Sequence, residues 1–280
     1  MNKEYKKIGY LNHNYKMFHL IDNGIKKFEY HYHDFDKILI LIKGDISYHI
    51  EGKTYKLKPY DVVLVNAYEV HKPEINNESC YERIIIYVSP KFIDSYKEEK
   101  VDLAKCFVDA KEKKSNILRI SSFNRTKLYS IINELENTFN QNNLYANELY
   151  QRILFLQFMI ELNRCSINKE INYIETNYSN KKILSIIDYI NNNLSADLSI
   201  ESIASLFYLS KSYLMHSFKK ETGFTINNYV KTKRLLYAKS LISQGKTITE
   251  ACYQCGYNNY STFSRAYKKT FGMPARKEKM

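Results

Sequence analysis

The strongest constraint on the fold of this chain is a repeat. The stretch Phe218-Lys-Lys-Glu-Thr-Gly223 returns forty-nine residues later as Tyr267-Lys-Lys-Thr-Phe-Gly272. Working backwards, Leu214 matches Phe263 and Ser210 matches Asn259; after a one-residue slip, Ala204 matches Cys252 and Tyr208 matches Gly256. Each copy places a small residue four positions before a turn residue, then a polar N-cap candidate, then an apolar i, i+4 pair. That is the pattern of a helix-turn-helix, written twice. Two helices that cross steeply need a small side chain where they touch, supplied by Ala204 and Cys252, and a tight turn between them. Gly256 takes a positive φ without steric cost, whereas Tyr208 must pay for it or avoid it.

The positive charge is concentrated in the repeat. At 280 residues the chain has room for two domains. Lys and Arg number 42 against 30 Asp and Glu, a net charge of +12. Residues 181–280 hold 16 basic and 6 acidic side chains, leaving +10, while residues 1–180 hold 26 and 24, leaving +2. A basic domain with exposed helices is the electrostatic footprint of a polyanion binder, and double-stranded DNA is the expected partner.

Residues 1–18 are polar and Lys-rich, and the longest aliphatic run, Ile38 to Ile42, is far short of the roughly 20 residues that span a bilayer. No membrane partner and a cytoplasmic location are expected. Cys80, Cys106, Cys165, Cys252 and Cys255 are an odd, scattered set that suits reduced thiols better than a disulfide framework. Cys252 and Cys255 form a Cys-x-x-Cys, but both fall where the repeat wants a core residue and no second pair completes a zinc site. They read as packing residues.

The front half carries strand signals. Lys26–His33, Ile38–Lys43, Ile46–Glu51, Thr54–Leu57, Val62–Val65 and Tyr81–Val88 are short β-branched or aromatic runs, separated by turn residues such as Lys43-Gly44-Asp45 and Lys58-Pro59-Tyr60-Asp61. Strands this short and regular predict a small β-barrel or jelly roll. The segment before them is compatible with an edge strand or an extended arm. His31 and His33 stand two apart on an expected strand and share a face, and His71 ends a later one. This resembles the cupin pattern, in which two histidines, a glutamate and a later histidine line a barrel mouth. Here the glutamate position falls on or beside Asp36 and Lys37, and the glycine usual after the proline of the second cupin motif is Tyr60. Both departures argue against a catalytic metal, and simple polar lining of a barrel rim is the plain alternative. A three-histidine site with an open position would suit Zn²⁺, but Lys37 opposes a cation unless it points away. A small polar organic effector held by His31, His33, Lys37, Tyr48 and His71 is therefore favoured.

From Ser89 the period becomes helical. Pro90–Lys97 and Val101–Ala110 read as short helices, and Ser121–Phe139 and Leu144–Leu162 as longer ones. The last is apolar most of the way round, which requires burial inside its own domain or against a second subunit in a homodimer. The expected fold class is α+β: a cupin-like sensor and dimerisation barrel with a helical pair in residues 1–165, a linker at 166–180, and an all-α DNA-binding domain at 181–280.

That domain opens with a helix at Ile183–Leu194. Ser199 caps Ile200–Phe207, with Ile203 and Leu206 inward; Ser210 caps a helix whose stripe Tyr213, Leu214, Ser217 and Phe218 packs inward. Ser212, Met215, His216 and Lys219 are left on the outer face that enters a major groove. The helix Thr225–Ser243 is about 28 Å long at 1.5 Å per residue, enough to hold two recognition helices about one duplex turn apart. In the second copy Ile248–Cys255 supports a helix capped by Asn259. There Phe263, Tyr267 and Phe271 face inward, Ser261, Thr262, Arg265 and Lys269 outward, and Tyr260 sits at the leading tip. Arg265 is the side chain best suited to a bidentate guanine or phosphate contact.

These residues resemble the AraC/XylS transcription regulators. The resemblance rests on Ile203-Ala204, Ser210, Tyr213-Leu214, Phe218-Lys219, Gly223, Tyr229, Arg234 and Ala238, and above all on Gly256-Tyr257, Ser261, Phe263-Ser264-Arg265, Lys268-Lys269, Gly272 and Pro274. With the cupin-like front half it covers nearly the whole chain. It departs at the end, where Met273 precedes the proline in place of Ser or Thr. The resemblance implies a transcription regulator, more often an activator, that contacts RNA polymerase and needs no cofactor or catalytic residue. The reading from another class is a cupin enzyme or metal-binding protein with a DNA-binding appendage, which would require a competent carboxylate beside the three histidines.

Overall fold

The computed structural model describes residues 6–7, 11, 13–24, 26–77, 80–139, 144–168, 171–176 and 180–277. The chain divides into two compact units, one of residues 7–50 and 54–178 and one centred on 179–280.

The strands of the front half are β1 (Lys6–Lys7), β2 (Tyr15–Asp22), β3 (His31–Tyr32), β4 (Asp36–Lys43), β5 (Ile46–Ile50), β6 (Lys53–Lys56), β7 (Val62–Val65), β8 (His71–Ile75) and β9 (Tyr81–Val88). Then come α1 (Pro90–Asp94), α2 (Lys105–Glu112), β10 (Ile117–Ile120), α3 (Lys127–Phe139), α4 (Asn147–Ile167) and β11 (Ile171–Tyr173). The strands form two sheets, ordered β1-β3-β8-β5-β6 and β11-β10-β7-β4-β9-β2, and not one closed barrel. The central strand β4 explains the layering. Its Ile38 and Ile40 join a core with Phe155, Phe158 and Leu162 of α4, while Leu39 and Leu41 join a second core with Tyr48, Ile50 and Tyr55 of the other sheet. Side chains alternate across a strand, so β4 is apolar on both faces because both are covered.

The opening stretch takes one of the two forms its sequence allows, an edge strand where it is described: β2 pairs with β9 from Tyr15↔Val88 to Asp22↔Tyr81. Two later segments differ from expectation. The strand expected at Lys26–His33 contracts to His31–Tyr32, because Lys26, Lys27 and Glu29 are exposed and give a sheet nothing apolar to bury. Residues 166–180, expected as linker, are structured in part. Helix α4 runs on to Ile167, Ile171 is buried, β11 pairs with β10 through Leu118↔Tyr173, and Ser115 Oγ donates to the Ile174 carbonyl at 2.6 Å. Residues 169–170 and 177–179 of that stretch lie outside the described residues.

The tight turn at Lys58–Asp61 is held by charge. Asp61 is fully buried and accepts from the Lys58 N–H at 2.8 Å and from both sides of the Arg119 guanidinium, Nε at 2.7 Å and a terminal nitrogen at 2.6 Å. Tyr60, at the usual glycine position, adopts a φ of 70°. Its ring stacks on Phe123 and meets Tyr129 edge-on, contacts that offset the left-handed backbone.

The second unit contains α5 (Lys181–Asn192), α6 (Ile200–Leu206), α7 (Lys211–Thr222), α8 (Ile226–Ser243), α9 (Ile248–Gln254) and α10 (Tyr260–Phe271). The two copies of the repeat are built alike. Helices α6 and α9 have 7 residues each, and α7 and α10 have 12. The caps fall where side-chain oxygens can reach free N–H groups: Ser199 accepts from Ser202, Ser210 from Tyr213, Thr225 from Asn228 and Asn259 from Thr262. Gly223 and Gly272 close α7 and α10 at φ 78° and 74°.

Candidate ligand and nucleic-acid sites

In the second unit the tandem helices expose the expected faces. Ser212, Met215, His216 and Lys219 of α7 are exposed, as are Tyr260, Ser261, Thr262, Arg265 and Lys269 of α10. Leu214, Ser217 and Phe218 face inward, and so do Phe263 and Tyr267. Two side chains depart from the expected inner stripe. Tyr213 is 45% exposed, its hydroxyl accepting from the Asn180 amide, because it sits about 100° round the helix from Leu214. Leu206 is also exposed, at the C-terminal end of α6.

The turn residues settle how the two copies differ. Tyr208 takes φ 53° with its ring almost wholly in solvent, so it pays the left-handed cost with no room problem. Gly256 takes φ 86°, and a Cβ there would lie 2.2 Å from the Leu194 carbonyl oxygen and 2.9 Å from the Arg234 guanidinium. Arg234 in turn donates to the carbonyls of Leu194 at 2.8 Å and Ala196 at 2.7 Å. Cys252 and Cys255 are fully buried beside Phe263 and Tyr267, and burial pushes the Cys255 thiol up to about 12. Both are packing residues, as their repeat positions indicated.

In the first unit the five expected ligand residues converge. Antiparallel pairing of β3 and β8 sets His31 opposite His71, with ring centroids 4.4 Å apart, and His33 lies 4.7 Å from His71. Each imidazole has its Nδ1 on a backbone carbonyl: Glu29 for His31 at 2.9 Å, Phe35 for His33 at 2.7 Å and Glu69 for His71 at 2.9 Å. A neutral ring donating from Nδ1 keeps Nε2 as an acceptor. Lys37 points into this cluster. Its Nζ donates to the Tyr48 hydroxyl at 2.9 Å and lies 3.5 Å from His71 Nε2.

The charges follow from burial. Lys37 is 5% exposed; burial, helped by the Arg83 guanidinium, lowers its ammonium to about 7. Burial and then the Lys37 charge bring His31 down to about 4 and hold His71 well below the imidazole range. Asp36, the other residue near the cupin glutamate position, accepts from the Ala67 N–H at 2.7 Å, and burial raises its carboxyl to about 7. Asp36 shares strand parity with Ile38 and Ile40, whose side chains join the helix-side core, whereas Lys37 shares parity with Leu39 and Leu41. An amine thus stands beside the imidazoles where a cupin metal site would need a carboxylate. Among the described residues no group of three or more His, Cys, Asp or Glu is placed to hold a metal ion.

One member of the cluster was missed from sequence. Arg83 of β9 is buried, carries its ring neighbour Tyr81 at 4.1 Å, and pairs with Asp22 at 2.6 Å. The signal was available: Tyr81, Arg83 and Ile85 alternate against Ile84, Ile86 and Val88, which puts a charged side chain on the face between the sheets.

Residues 21–150 match the AraC-like ligand binding domain family, and residues 203–278 match a helix-turn-helix domain family. The chain belongs to the AraC/XylS family of transcriptional regulators. It is 25% identical over 249 residues to the transcriptional activator RhaR of Mannheimia succiniciproducens, covering 87% of this chain and 84% of that protein. It is 23% identical over 257 residues to the activator RhaS of an Enterobacter species, covering 89% and 86%. Among solved structures, unsaturated fatty acid-bound ToxT from Vibrio cholerae aligns over 96% of both chains at 16% identity and a TM-score of 0.38. The C-terminal domain of AraT from Geobacillus stearothermophilus aligns over 36% of this chain and 84% of its own at 27% identity and a TM-score of 0.35. The chain is thus an AraC-type DNA-binding regulator with an N-terminal ligand-binding domain, and its matched relatives are named as regulators of transcription. No helix among the described residues is long and apolar enough to cross a membrane.

Proposed function

We propose that this AraC-type chain is a cytoplasmic, effector-responsive transcription activator. Its α7 and α10 would read two successive major grooves. The observation that carries this reading is the matched pair of exposed helix faces joined by α8, whose 18 residues span about 27 Å at 1.5 Å each. Ser212, Met215, His216 and Lys219 face one groove; Tyr260, Ser261, Thr262, Arg265 and Lys269 face the next. Lys219 and Lys269, in the last turns of their helices, suit phosphate contacts, while Arg265 suits a base. RNA polymerase is the proposed protein partner, a reading supported by relatives named activators.

The test is binding of the full chain to operators found by mapping its bound sites. Log affinity should fall linearly with log salt. Arg265→Ala should cost about 1–3 kcal/mol on the specific site and little on random DNA. Equal losses on both would reassign Arg265 to the phosphates, and a salt-independent affinity would remove the reading altogether.

The effector site proposed is the cluster of His31, His33, Lys37, Tyr48 and His71, and the effector a small polar organic molecule. A buried amine beside the imidazoles favours it over a cation. Protein purified without tag or chelator is expected to carry zinc, iron and manganese far below stoichiometry. Near-stoichiometric metal that disappears in His31→Ala or His71→Ala would overturn this assignment and favour the metal-binding alternative.

Homodimerisation is proposed through α4. Leu149, Ile153, Leu156, Ile160 and Ile167 recur at spacings of three, four and seven, and all but Leu156 are well exposed. That is the seam of a two-helix contact, and a second copy of the same helix fits it. Sedimentation equilibrium with only monomer at tens of micromolar would exclude it.

A further inference from the structure

Lys37 is expensive to keep as a structural residue. A buried ammonium requires an anion or moves its pKa, and the charge that acts on Lys37 most strongly, Arg83, is of the same sign. A methionine would fill similar space without that penalty. What the position gains from an amine is chemical. Tyr48 and His71 Nε2, at 2.9 and 3.5 Å, take two of its N–H bonds. In the neutral amine those are all the N–H bonds there are, so the remaining tetrahedral direction is the lone pair. His71 is fixed as an acceptor by its Nδ1 bond to Glu69. His31, mostly buried but in part exposed and 4.4 Å from His71, lies between the cluster and the surface.

We propose that Lys37 is a covalent sensor residue, forming a reversible imine with a small aldehyde or 2-oxo acid. This rests on the reading of the same cluster as the effector site. The lone pair of the amine attacks the carbonyl carbon, and the π pair moves to oxygen. The nitrogen gives one proton to His71 Nε2, and the oxygen takes one from Tyr48, which makes a neutral carbinolamine. The hydroxyl then leaves as water, taking the proton back from His71, while the second N–H proton returns to Tyr48 and the C=N bond forms. Amine and carbonyl thus become imine and water, with no change in oxidation state. The imine nitrogen no longer holds two N–H bonds to Tyr48 and His71. Capture therefore alters the hydrogen bonding between β4, β5 and β8, which supplies the difference between free and bound states that any sensor requires.

An amine with a pKa near 7 is about half neutral at pH 7, against roughly 1 part in 2,500 for an ordinary lysine. The full chain at pH 7 is treated with glyoxylate or with glycolaldehyde and sodium cyanoborohydride, and the adducts are mapped by peptide mass. Lys37 should label about 100-fold faster than exposed lysines such as Lys111 and Lys220, allowing for the weaker nucleophilicity of a less basic amine. Glyoxylate outpacing glycolaldehyde would indicate an oxo acid, and the reverse a neutral aldehyde. Lys37→Arg should remove the fast adduct alone, and His71→Gln and Tyr48→Phe should slow it. Labelling of Lys37 no faster than of Lys220 in the native protein overturns the inference. If that happens while an organic molecule still changes DNA binding in a His71-dependent way, the imine is wrong and the effector site stands.

Discussion

Gly256→Ala is expected to destabilise the second helix-turn-helix by about 4 kcal/mol or more, at the far end of what single substitutions do. Two costs add. An alanine at φ 86° carries the left-handed penalty of about 1–2 kcal/mol. Its Cβ would also overlap the Leu194 carbonyl oxygen at 2.2 Å, which is backbone and cannot swing aside. Relief requires the α5–α6 connection to move, and that breaks the bonds from Arg234 to Leu194 and Ala196. Specific DNA binding should fall with the helix pair. Gly272→Ala is the control. Its φ is 74° but nothing lies within 4 Å of the added Cβ, so only the conformational part remains, about 1 kcal/mol. Thermal unfolding of the two variants side by side separates the terms, and equal losses would mean that the close approach to Leu194 is not limiting.

The same comparison explains why the repeat was legible. Caps, turn residues and i, i+4 stripes are local, so Ser199, Ser210 and Asn259 announce helix starts without reference to the rest of the fold. Tyr213 and Leu206 were misplaced because an apolar side chain at the border of a stripe is sorted by the neighbouring helices and not by its own. The first unit was harder. Val62–Val65 and Tyr81–Val88 stood out as strands because both ends are punctuated by turns. β10 and β11 are short and exist through pairing with partners 50 or more residues away, which no window contains. The site was legible as a set, His31, His33, Lys37, Tyr48 and His71, because period-two alternation fixes faces. Whether Lys37 pointed in or out needed the register of β4, and that register also sends Asp36 to the opposite layer.

Register depends in turn on the turn at Lys58–Asp61, and there the second large effect is expected. Arg119→Met should cost about 3 kcal/mol, the low end for breaking a buried pair, because the guanidinium is 29% exposed and water can enter the vacated space. Asp61 would keep only the Lys58 N–H for a carboxylate with no exposed surface. At about 2–4 °C per kcal/mol for a unit of this size, the melting temperature should drop by roughly 6–12 °C. Adding Asp61→Asn to Arg119→Met removes the stranded charge while leaving an oxygen for Lys58, so the double variant should be more stable than Arg119→Met alone. The opposite order would mean that Asp61 is already reached by solvent. It would then be the stacking of Tyr60 on Phe123, and not the ion pair, that holds β4 and β7 in the register that points Lys37 inward.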